Sequence, residues 1–324
     1  MQRDELETIV TAASWAPSVH NTQPWRFTAT ADRVDIFADR SRLLSVIDPL
    51  GRELTISCGA AVLFARLAVR GLGKACTVSL LPDPADPDHL ARILIGKASA
   101  PTAEERQLIR ALPIRYTDRD RFDDRPVPPA LIEELSSAAA EEGAWLRLLD
   151  RTGDLASIAV LTARADDMEK ADPAYLAELV AWSRVSPDAP DGVPRAAVPR
   201  TPVSERGSSV RLRDFDVDHR DTAGSVSPLP PPAEHPLLAL LGTPGDDPWA
   251  WLAAGQALGR LLLRAAAAGV TASPMTQVLE VATTRAQLAR SLHILGSPQM
   301  LLRFGYGRGR PTTNRRAVSA VLPN

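Results

Sequence analysis

Apolar residues recur at helical spacing in two segments of the chain, residues 6–15 and residues 131–140. This spacing predicts two amphipathic helices, each with one buried face. Each segment is followed by a strand-like run that begins with a tryptophan, Trp25 in the first case and Trp145 in the second. The same succession of a helix and a strand therefore occurs twice along the chain.

Two longer runs, residues 58–73 and 254–269, are almost entirely apolar, which predicts helices that are buried on most faces. A closing glycine is suited to a left-handed helix cap, and an early glycine permits two helices to approach closely at the centre of the molecule. Both runs have a glycine near the beginning and another fourteen residues later, at Gly59 and Gly73 and at Gly255 and Gly269.

Each long run is followed by a β-rich segment that ends in glycine, residues 91–96 and residues 300–305. The repeated order of elements predicts an α+β fold made of two related halves with mixed sheets. We expect these halves to pack through the long central helices, like a dimer fused into one chain. We place the first half at residues 1–112 and the second at residues 113–324.

A proline-rich stretch interrupts the second half at about residues 185–236. Ten of the 28 prolines lie between Pro187 and Pro236. Because proline lacks an amide donor and fixes φ, this stretch cannot form a long helix or a central strand. Loops of this length are usually functional covers or linkers. We interpret the stretch as a lid, with a linker as the alternative, and expect part of residues 210–217 to dock on the protein.

Composition and charge argue against several classes of protein. The 324 residues carry a net charge of −2, which argues against a nucleic-acid binder, and no apolar run has the length of a membrane span. The acidic amino terminus lacks the apolar core of a signal peptide, and two cysteines make neither a disulfide framework nor a metal site. We therefore expect a cytoplasmic protein that acts on a small molecule. The acidic residues 165–169 are interpreted as a solvated helix face.

The most specific polar segment lies between the first helix and Trp25. Its short or amide side chains can hydrogen-bond the polar edges of a planar heterocycle. A capped turn with Trp25 as a core anchor is the alternative interpretation. The candidate binding residues of this segment are Pro17, Ser18, His20, Asn21 and Gln23.

A second candidate is a short basic motif at the end of the first half. Arg115, Thr117 and Arg119 alternate, so an extended backbone places the three side chains on one side. Two guanidinium groups and a hydroxyl on one face form a clamp for a phosphate or another anion. The alternative is a solvated loop, because Asp118 and Asp120 almost cancel the positive charge.

Two further segments of the second half are candidates for ligand contacts. The carboxy-terminal arm carries four arginines within residues 308–316, among them Arg315 and Arg316, with a basic tail as the alternative. The other segment follows the second long helix, where proline enforces a non-helical backbone whose amides can reach the edge of a ligand. Its residues are Pro274, Met275, Thr276 and Gln277.

Together, these segments resemble the signatures of the nitroreductase superfamily, flavoenzymes that bind FMN at a dimer interface. The duplicated chain, the pair His20 and Asn21, and the proline-rich insertion are similar to the Acg group, in which one chain encodes a pseudo-dimer. The matching segments are residues 17–25 (Pro-Ser-x-x-Asn loop), 115–119 (Arg-x-Ser-x-Lys/Arg motif), 274–277 (loop that offers a backbone amide to flavin N5) and 314–316 (phosphate clamp).

The resemblance implies a role for each segment. Arg115, Arg315 and Arg316 would bind the FMN phosphate, helped by a hydrogen bond from Thr117. Arg119 would lie near the N1–C2=O edge of the flavin, where negative charge collects on reduction. Thr276 would present its backbone amide to N5, and Pro17, Ser18 and Asn21 would line the ring and its pyrimidine edge from the other half. Because hydride passes through N5, the resemblance implies no side-chain acid or base for that step.

The two halves differ in ways that imply a single site. The first half has the long polar loop but no arginine motif before its first helix. The second half has the arginine motif and the terminal arm, but only residues 141–145 where the long loop would be. The resemblance therefore implies one FMN per chain, in a protein that is a monomer or a homodimer.

Three functions fit this resemblance. The first is an FMN-dependent reductase that transfers hydride from NAD(P)H to a nitroaromatic, quinone-like or other conjugated acceptor. The second is an Acg-type protein that sequesters or stores FMN beneath a closed lid, with little or no NAD(P)H reductase activity. The third is a specialised oxidase or dehydrogenase, which would use the same cofactor.

Overall fold

The computed structural model describes residues 2–194, 236–307 and 313–323, together with Ala197, Arg213, Phe215 and Gly309. The lid predicted at about 185–236 therefore lies mostly outside the described residues, and so do two arginines of the carboxy-terminal arm, Arg308 and Arg310. Within the described ranges, the chain forms two four-stranded sheets, one two-stranded sheet and a central pair of long helices.

The first half forms one four-stranded antiparallel sheet with a long helix. In chain order it consists of α1 (Arg3–Ser14), β1 (Trp25–Ala29), β2 (Arg33–Ala38), α2 (Arg52–Gly71), β3 (Lys74–Leu80), β4 (His89–Ala98) and α3 (Ala103–Ala111). The strands are ordered β1-β2-β4-β3 across the sheet. The long helix α2 connects β2 to β3.

The second half forms a similar sheet and adds two helices before its second strand. In chain order it consists of α4 (Pro129–Glu141), β5 (Trp145–Leu148), α5 (Thr152–Lys170), α6 (Pro173–Trp182), β6 (Ser183–Arg184), β7 (Val193–Pro194), β8 (Leu237–Thr243), α7 (Pro248–Ala267), β9 (Thr271–Pro274), α8 (Gln277–Glu280), α9 (Ala282–Ser291), β10 (Ser297–Gly305) and α10 (Val318–Val321). The main strands are ordered β5-β8-β10-β9, and β6 pairs with β7.

The two four-stranded sheets share one topology. In each of them the first, second, fourth and third strands of the half lie side by side in that order, and all neighbouring strands are antiparallel. A long helix follows the second strand in both, α2 in the first half and α7 in the second. The predicted α+β fold with two related halves is therefore confirmed, but the expectation of mixed sheets was wrong, since every strand pair within these two sheets is antiparallel. The boundary between residues 112 and 113 stays a prediction.

The central helices α2 and α7 touch through their backbones. A Cβ atom built on Gly255 would lie 2.1 Å from the carbonyl oxygen of Ile56, and one built on Gly59 would lie 2.4 Å from the carbonyl oxygen of Leu252. Both distances are far below van der Waals contact, so only glycine fits at either position. The predicted close approach at the early glycines is confirmed.

Both central helices begin about six residues before the apolar runs that predicted them, α2 at Arg52 and α7 at Pro248. The side chains of Asp48 and Asp247 accept main-chain amides of these first turns at 2.8 and 2.9 Å. Such caps satisfy amides that have no partner inside the helix. Both helices end as predicted in left-handed glycines, Gly73 with φ 72° and Gly269 with φ 73°.

Helix α2 is long and apolar enough to cross a membrane by length and composition, and it is the one such helix among the described residues. However, 83% of the 18-residue apolar stretch of this helix is buried inside the protein. It packs against α1, α7 and β3, and its side chains contribute to the cores of both halves. The apolar surface of α2 is therefore covered by the rest of the chain.

The contact between the two helices predicts a large effect of one added methyl group. Gly255→Ala places a Cβ atom against the backbone of α2, and the helices must separate, which costs about 1–3 kcal/mol. We expect the free energy of unfolding from urea titration to fall by this amount. Gly153→Ala in α5 is the matched control, because its Cβ meets no atom within 4 Å. Equal unfolding midpoints for the two variants would contradict the close contact.

Candidate functional site

A cavity lies between the two halves, with about 1010 Å³ of empty space including its opening to solvent. Its walls come from the loop between α1 and β1, from α2 and α7, and from the segments before α4 and after β9. The residues that line it are Pro17, Ser18, Val19, His20, Asn21, Glu53, Ile56, Ser57, Arg115, Thr117, Arg119, Arg213, Phe215, Leu258, Ser273, Pro274, Thr276, Gln277, Met300, Thr313 and Arg315.

The loop between α1 and β1 holds an unusual backbone conformation. His20, Asn21 and Gln23 have φ values of 44°, 56° and 50°, in the left-handed region that favours glycine. Such residues cost stability and persist only where the surroundings hold them, which is common at functional sites. Hydrogen bonds hold the loop here, because Ser57 Oγ accepts the Val19 amide at 3.1 Å and Ser18 Oγ accepts the Gln23 amide at 2.9 Å.

Three guanidinium groups converge on one wall of the cavity. Among the described residues, no hydrogen-bond partner exists for Nε and Nη1 of Arg115 or for Nε of Arg315, although these atoms are buried. Burial and the repulsion of its arginine neighbours lower the pKa of Arg115 to about 9, and burial lowers the pKa of Arg119 and Arg315 to about 10. This wall is therefore short of negative charge.

The arginine motif is positioned by the edge of the second sheet. Thr117 forms a parallel bridge with Ala272 of β9, and the Asp118 amide donates to the Ala272 carbonyl at 3.2 Å. This pairing keeps the segment extended, so Arg115, Thr117 and Arg119 all reach the cavity, as their alternation predicted. Asp118 is buried on the other side of the backbone.

The segment after β9 contributes both main-chain and side-chain groups. The Met275 amide donates to the Leu301 carbonyl at 2.8 Å, whereas the described residues offer no acceptor to the Thr276 amide. Gln277 is buried, and its Nε2 has no partner in the same part of the chain. Thr276 and Gln277 both line the cavity, so two polar groups are available to a ligand there.

Three of the predicted site residues do not line the cavity: Gln23, Met275 and Arg316. Met275 is buried in an apolar cluster of the second half. Arg316 lies beside Gln23, because its amide donates to Gln23 Oε1 at 2.8 Å and its Nη1 donates to the Gln23 carbonyl at 3.1 Å. The contacts between Arg316 and Gln23 attach the terminal arm to the loop of the first half. Arg315, the preceding residue, faces the cavity.

The sequence patterns did not indicate the acidic residues beside the cavity. Arg213, from the proline-rich stretch, inserts its guanidinium group into an acidic pocket, with Nη2 2.5 Å from Glu280 Oε2 and Nη1 3.6 Å from Glu169 Oε2. Nη1 also donates to the hydroxyl of Tyr175 at 2.6 Å. The interpretation of residues 165–169 as a solvated face was wrong for Asp166 and Glu169, which are buried.

A second residue of the proline-rich stretch reaches the cavity directly. The ring of Phe215 meets the ring of His20 edge-on at 5.3 Å, and the guanidinium carbon of Arg119 lies 5.4 Å from its centre. Phe215 also packs against the apolar cluster around Leu44 and Leu179. The expectation that part of residues 210–217 docks on the protein therefore holds for Arg213 and Phe215.

Comparison with known proteins identifies the family. Residues 1–46 match the sequence model of the nitroreductase family. Rv3131 of Mycobacterium tuberculosis, which carries the provisional name NAD(P)H nitroreductase, is 36% identical over 98% of this chain and 91% of its own length. The chain belongs to the nitroreductase family. Acg of the same organism, with the same provisional name, is 29% identical over 98% of this chain and 95% of its own length. The resemblance to the Acg group is thus confirmed.

A solved structure shows a weaker similarity to this nitroreductase-family chain. The FMN-dependent nitroreductase NfnB from Mycobacterium smegmatis, solved in complex with NADPH, is 16% identical. The match covers 67% of this chain and 92% of NfnB, with a TM-score of 0.37. A similarity at this level carries no argument about the site, which stands on the chain's own geometry.

The titratable groups beside the cavity are shifted by burial and by one another. Burial raises the pKa of Glu169 to about 9, whereas Arg213 holds the pKa of Glu280 below its usual value despite burial. Burial, with a contribution from Arg213, lowers the pKa of His20 to about 3, so the imidazole is neutral at physiological pH. Within the described ranges, no group of three His, Cys, Asp or Glu side chains is arranged to hold a metal ion.

The shift of Glu169 predicts a pH dependence of stability. Folded protein keeps the Glu169 proton up to about pH 9, whereas the unfolded chain loses it near 4.5, so this group makes stability fall as the pH rises between these values. Glu169→Gln is neutral throughout and should flatten this fall, measured by urea titration at several pH values. Glu133→Gln, an exposed change on α4, is the control. An unchanged slope for Glu169→Gln would show that Glu169 is ionised in the folded protein.

Proposed function

We propose that this chain binds one FMN in the cavity between its halves and reduces a small conjugated acceptor, such as a nitroaromatic or a quinone, with hydride from NAD(P)H. The observation that carries the proposal is the convergence of Arg115, Arg119 and Arg315 on one cavity wall. The names of the relatives, NAD(P)H nitroreductases, support the same activity. FMN supplies, when bound, a flavin that accepts hydride from NAD(P)H and passes it to the acceptor.

The arginine wall fits a phosphate group. Arg115 and Arg315 have no carboxylate among the charged groups that act on them, so their charges are left to be balanced by a ligand. A phosphate of charge near −2 would relieve this repulsion and accept from the unpartnered guanidinium N–H groups. Thr117, on the same face, would add a hydroxyl donor. Arg316 is excluded from this role by its contacts with Gln23, which makes Arg315 the ligand from the terminal arm.

The remaining polar groups fit the flavin ring. Pro17, Ser18 and Asn21 would line the ring from the first half, and the Thr276 amide would donate to N5 from the second. Arg119 would lie at the pyrimidine edge, where a fixed positive charge favours the reduced cofactor. His20 is neutral and has no partner among the described residues for either ring nitrogen, so it is available for a hydrogen bond to the ring.

In the second half, side chains fill the region that corresponds to the loop between α1 and β1. The ten residues between α1 and β1 correspond to only three between α4 and β5. Glu142, in this short turn, has a side chain that is 5% exposed, and it forms ion pairs with Arg66 and with Arg260, whose Nη2 lies 2.7 Å away. An ion-paired cluster therefore stands where a second loop would be needed, which supports one FMN per chain.

The arginine wall generates a test that measures FMN binding and stability separately. Arg115→Ala should weaken FMN binding about ten- to a hundredfold, since hydrogen bonds to charged groups contribute about 1.5–3 kcal/mol. The same change relieves repulsion from Arg315 but removes the hydrogen bond from Nη2 to the Trp15 carbonyl, so the stability of the FMN-free protein should change little. Fluorescence titration with FMN gives the affinity and the stoichiometry, expected to be one, and thermal unfolding without FMN gives the stability.

The control for this test is Arg110→Ala, which removes an exposed arginine on α3. It should retain the wild-type affinity for FMN, because an exposed charge that does not line the cavity contributes little. Equal affinities of the two variants would remove Arg115 from the phosphate site. Two flavins per chain would contradict the single composite site.

A second candidate function is sequestration of FMN, and the position of Phe215 favours it. Phe215 lines the cavity, and Arg213, two residues earlier, is fixed by Glu280 and Tyr175. A ring held in this way restricts the space that a nicotinamide needs above the flavin. In this case the protein would hold FMN without turning it over.

Reduction of the flavin by NAD(P)H distinguishes the two functions. Under anaerobic conditions, a reductase should lose its flavin absorption within seconds to minutes of mixing with excess NADPH or NADH. A sequestering protein should keep its colour with both nucleotides and lose it only with dithionite. Phe215→Ala is informative in either case, because removal of the ring should accelerate reduction if the ring limits access.

A further inference from the structure

Glu53 is the one acid among the described residues that line the cavity. It lies in the first turn of α2, and its side chain is 3% exposed. Its Oε1 accepts from Arg52 Nη2 at 2.8 Å. Its ion-pair partner is therefore Arg52 and not an arginine of the cavity wall. A buried carboxyl at the wall of a reducing cavity therefore needs an explanation.

The charge balance around Glu53 requires protons. Four buried carboxyl groups interact electrostatically here, those of Asp48, Glu53, Glu169 and Glu280. Two buried arginines act on them, Arg52 and Arg213. Four negative charges against two positive ones would leave a strongly charged interior, which is unfavourable in a medium of low polarity. The cluster is neutral when two of the four carboxyl groups carry a proton.

The contacts decide which two carboxyl groups are protonated. Burial raises the pKa of Asp48, but hydrogen bonds from main-chain amides of α2 to its carboxylate oppose this shift. Glu280 pairs with Arg213 at 2.5 Å, and this partner holds its pKa below the usual value. Glu169 lies farther from Arg213, at 3.6 Å, and holds a proton. Burial and the negative charge of Glu280 raise the pKa of Glu53 well above its usual value, against the opposing effect of Arg52. Glu53 and Glu169 are therefore the neutral acids, and only Glu53 lines the cavity.

We propose that Glu53 is the proton donor to the acceptor that is reduced in this cavity, an inference that rests on the proposed reductase function. A quinone that receives a hydride must also gain a proton on its oxygen. The O–H bond of the Glu53 carboxyl breaks, a new O–H bond forms on the quinone oxygen, and Glu53 is left as a carboxylate beside Arg52. A proton from solvent then restores the acid.

The other polar groups of the cavity cannot perform this step. His20 is a neutral imidazole, which can donate a hydrogen bond but is too weak an acid to release its proton. In the proposed site, Arg115, Arg119 and Arg315 instead hold the phosphate and the pyrimidine edge of FMN. Arg52, bonded to Glu53 at 2.8 Å, stabilises the carboxylate that remains after transfer. Glu53 thus combines a raised pKa with a partner for its anion.

The test separates proton delivery from electron delivery. Holoprotein is reduced anaerobically with dithionite and then mixed either with a benzoquinone, which takes up electrons and protons, or with ferricyanide, which takes up electrons only. Glu53→Gln keeps the shape of the neutral acid but has no acidic proton. Its reoxidation by quinone should be slowed at least about tenfold, as expected for loss of a general acid, while reoxidation by ferricyanide stays within about twofold of wild type.

Glu169→Gln is the matched control, because it replaces the other neutral buried acid of the cluster, which does not line the cavity. It should react with both acceptors at the wild-type rate. In wild type, the quinone rate should fall as the pH rises and Glu53 loses its proton, and it should fall in D2O, while the ferricyanide rate does neither. Infrared spectra of the oxidised proteins provide a readout without turnover, since each Gln variant should lose one protonated-carboxyl band.

Several results would overturn the proposal. They are an unchanged quinone rate in Glu53→Gln, an equal loss of rate with ferricyanide, and an infrared spectrum in which Glu53→Gln removes no protonated-carboxyl band. If Glu53→Gln does not bind FMN, Glu53→Asp, which retains an acid, should keep the pH-dependent quinone rate, and a pH-independent rate would overturn the proposal. Failure of NAD(P)H to reduce the flavin would contradict the reductase function alone, because dithionite supplies the electrons in this test.

Discussion

The backbone contact between α2 and α7 is the constraint on which the rest of the molecule depends. The missing side chains of Gly59 and Gly255 let the two helices touch, and the walls of the cavity belong to different halves. Hydrogen bonds across the junction depend on the same spacing, because Arg115 Nη2 donates to the Trp15 carbonyl at 3.2 Å and the Arg316 amide donates to Gln23 at 2.8 Å. A wider separation of the helices would break these bonds and open the cavity. The site is therefore a product of helix packing and not of either half alone.

The cavity has two electrostatic regions with different needs. At one wall, Arg115 and Arg315 repel each other and lack carboxylate partners, so this region gains stability from a bound anion. At the other, buried carboxyl groups exceed their arginine partners, so this region gains stability from bound protons. A cofactor with a phosphate group and a ring that transfers hydride would use both regions. Positive charge would hold the phosphate end, and the reaction at the ring end would require protons. The two regions therefore support the proposed reduction of a neutral acceptor that takes up protons.

The sequence predicted the features that depend on local backbone requirements. Helical periodicity indicated the central helices, and glycine spacing indicated both the left-handed caps and the crossing, since each needs a residue without a side chain. Alternation placed Arg115 and Arg119 on one face. The sequence could not decide between Arg315 and Arg316, because adjacent side chains point in different directions and only the path of the arm selects one. It also could not indicate the acidic cluster, because Glu53, Glu169 and Glu280 are far apart in the chain, and a buried acid has no pattern that distinguishes it from a solvated one.

The duplicated fold explains why one chain can carry an asymmetric site. In a symmetric dimer, each half must keep both the loop and the arginine motif, because each half contributes to two sites. Once the halves are joined, a change in one is no longer imposed on the other. The turn before β5 is three residues long, and Glu142 within it pairs with Arg66 and Arg260 between the central helices. These ion pairs balance charges within the short turn, while α5 and α6 carry Glu169 and Tyr175, which hold Arg213 beside the cavity. If the chain binds one FMN, as proposed, the short turn at one position and the added helices at the other both follow from the covalent link, which lets each half change independently.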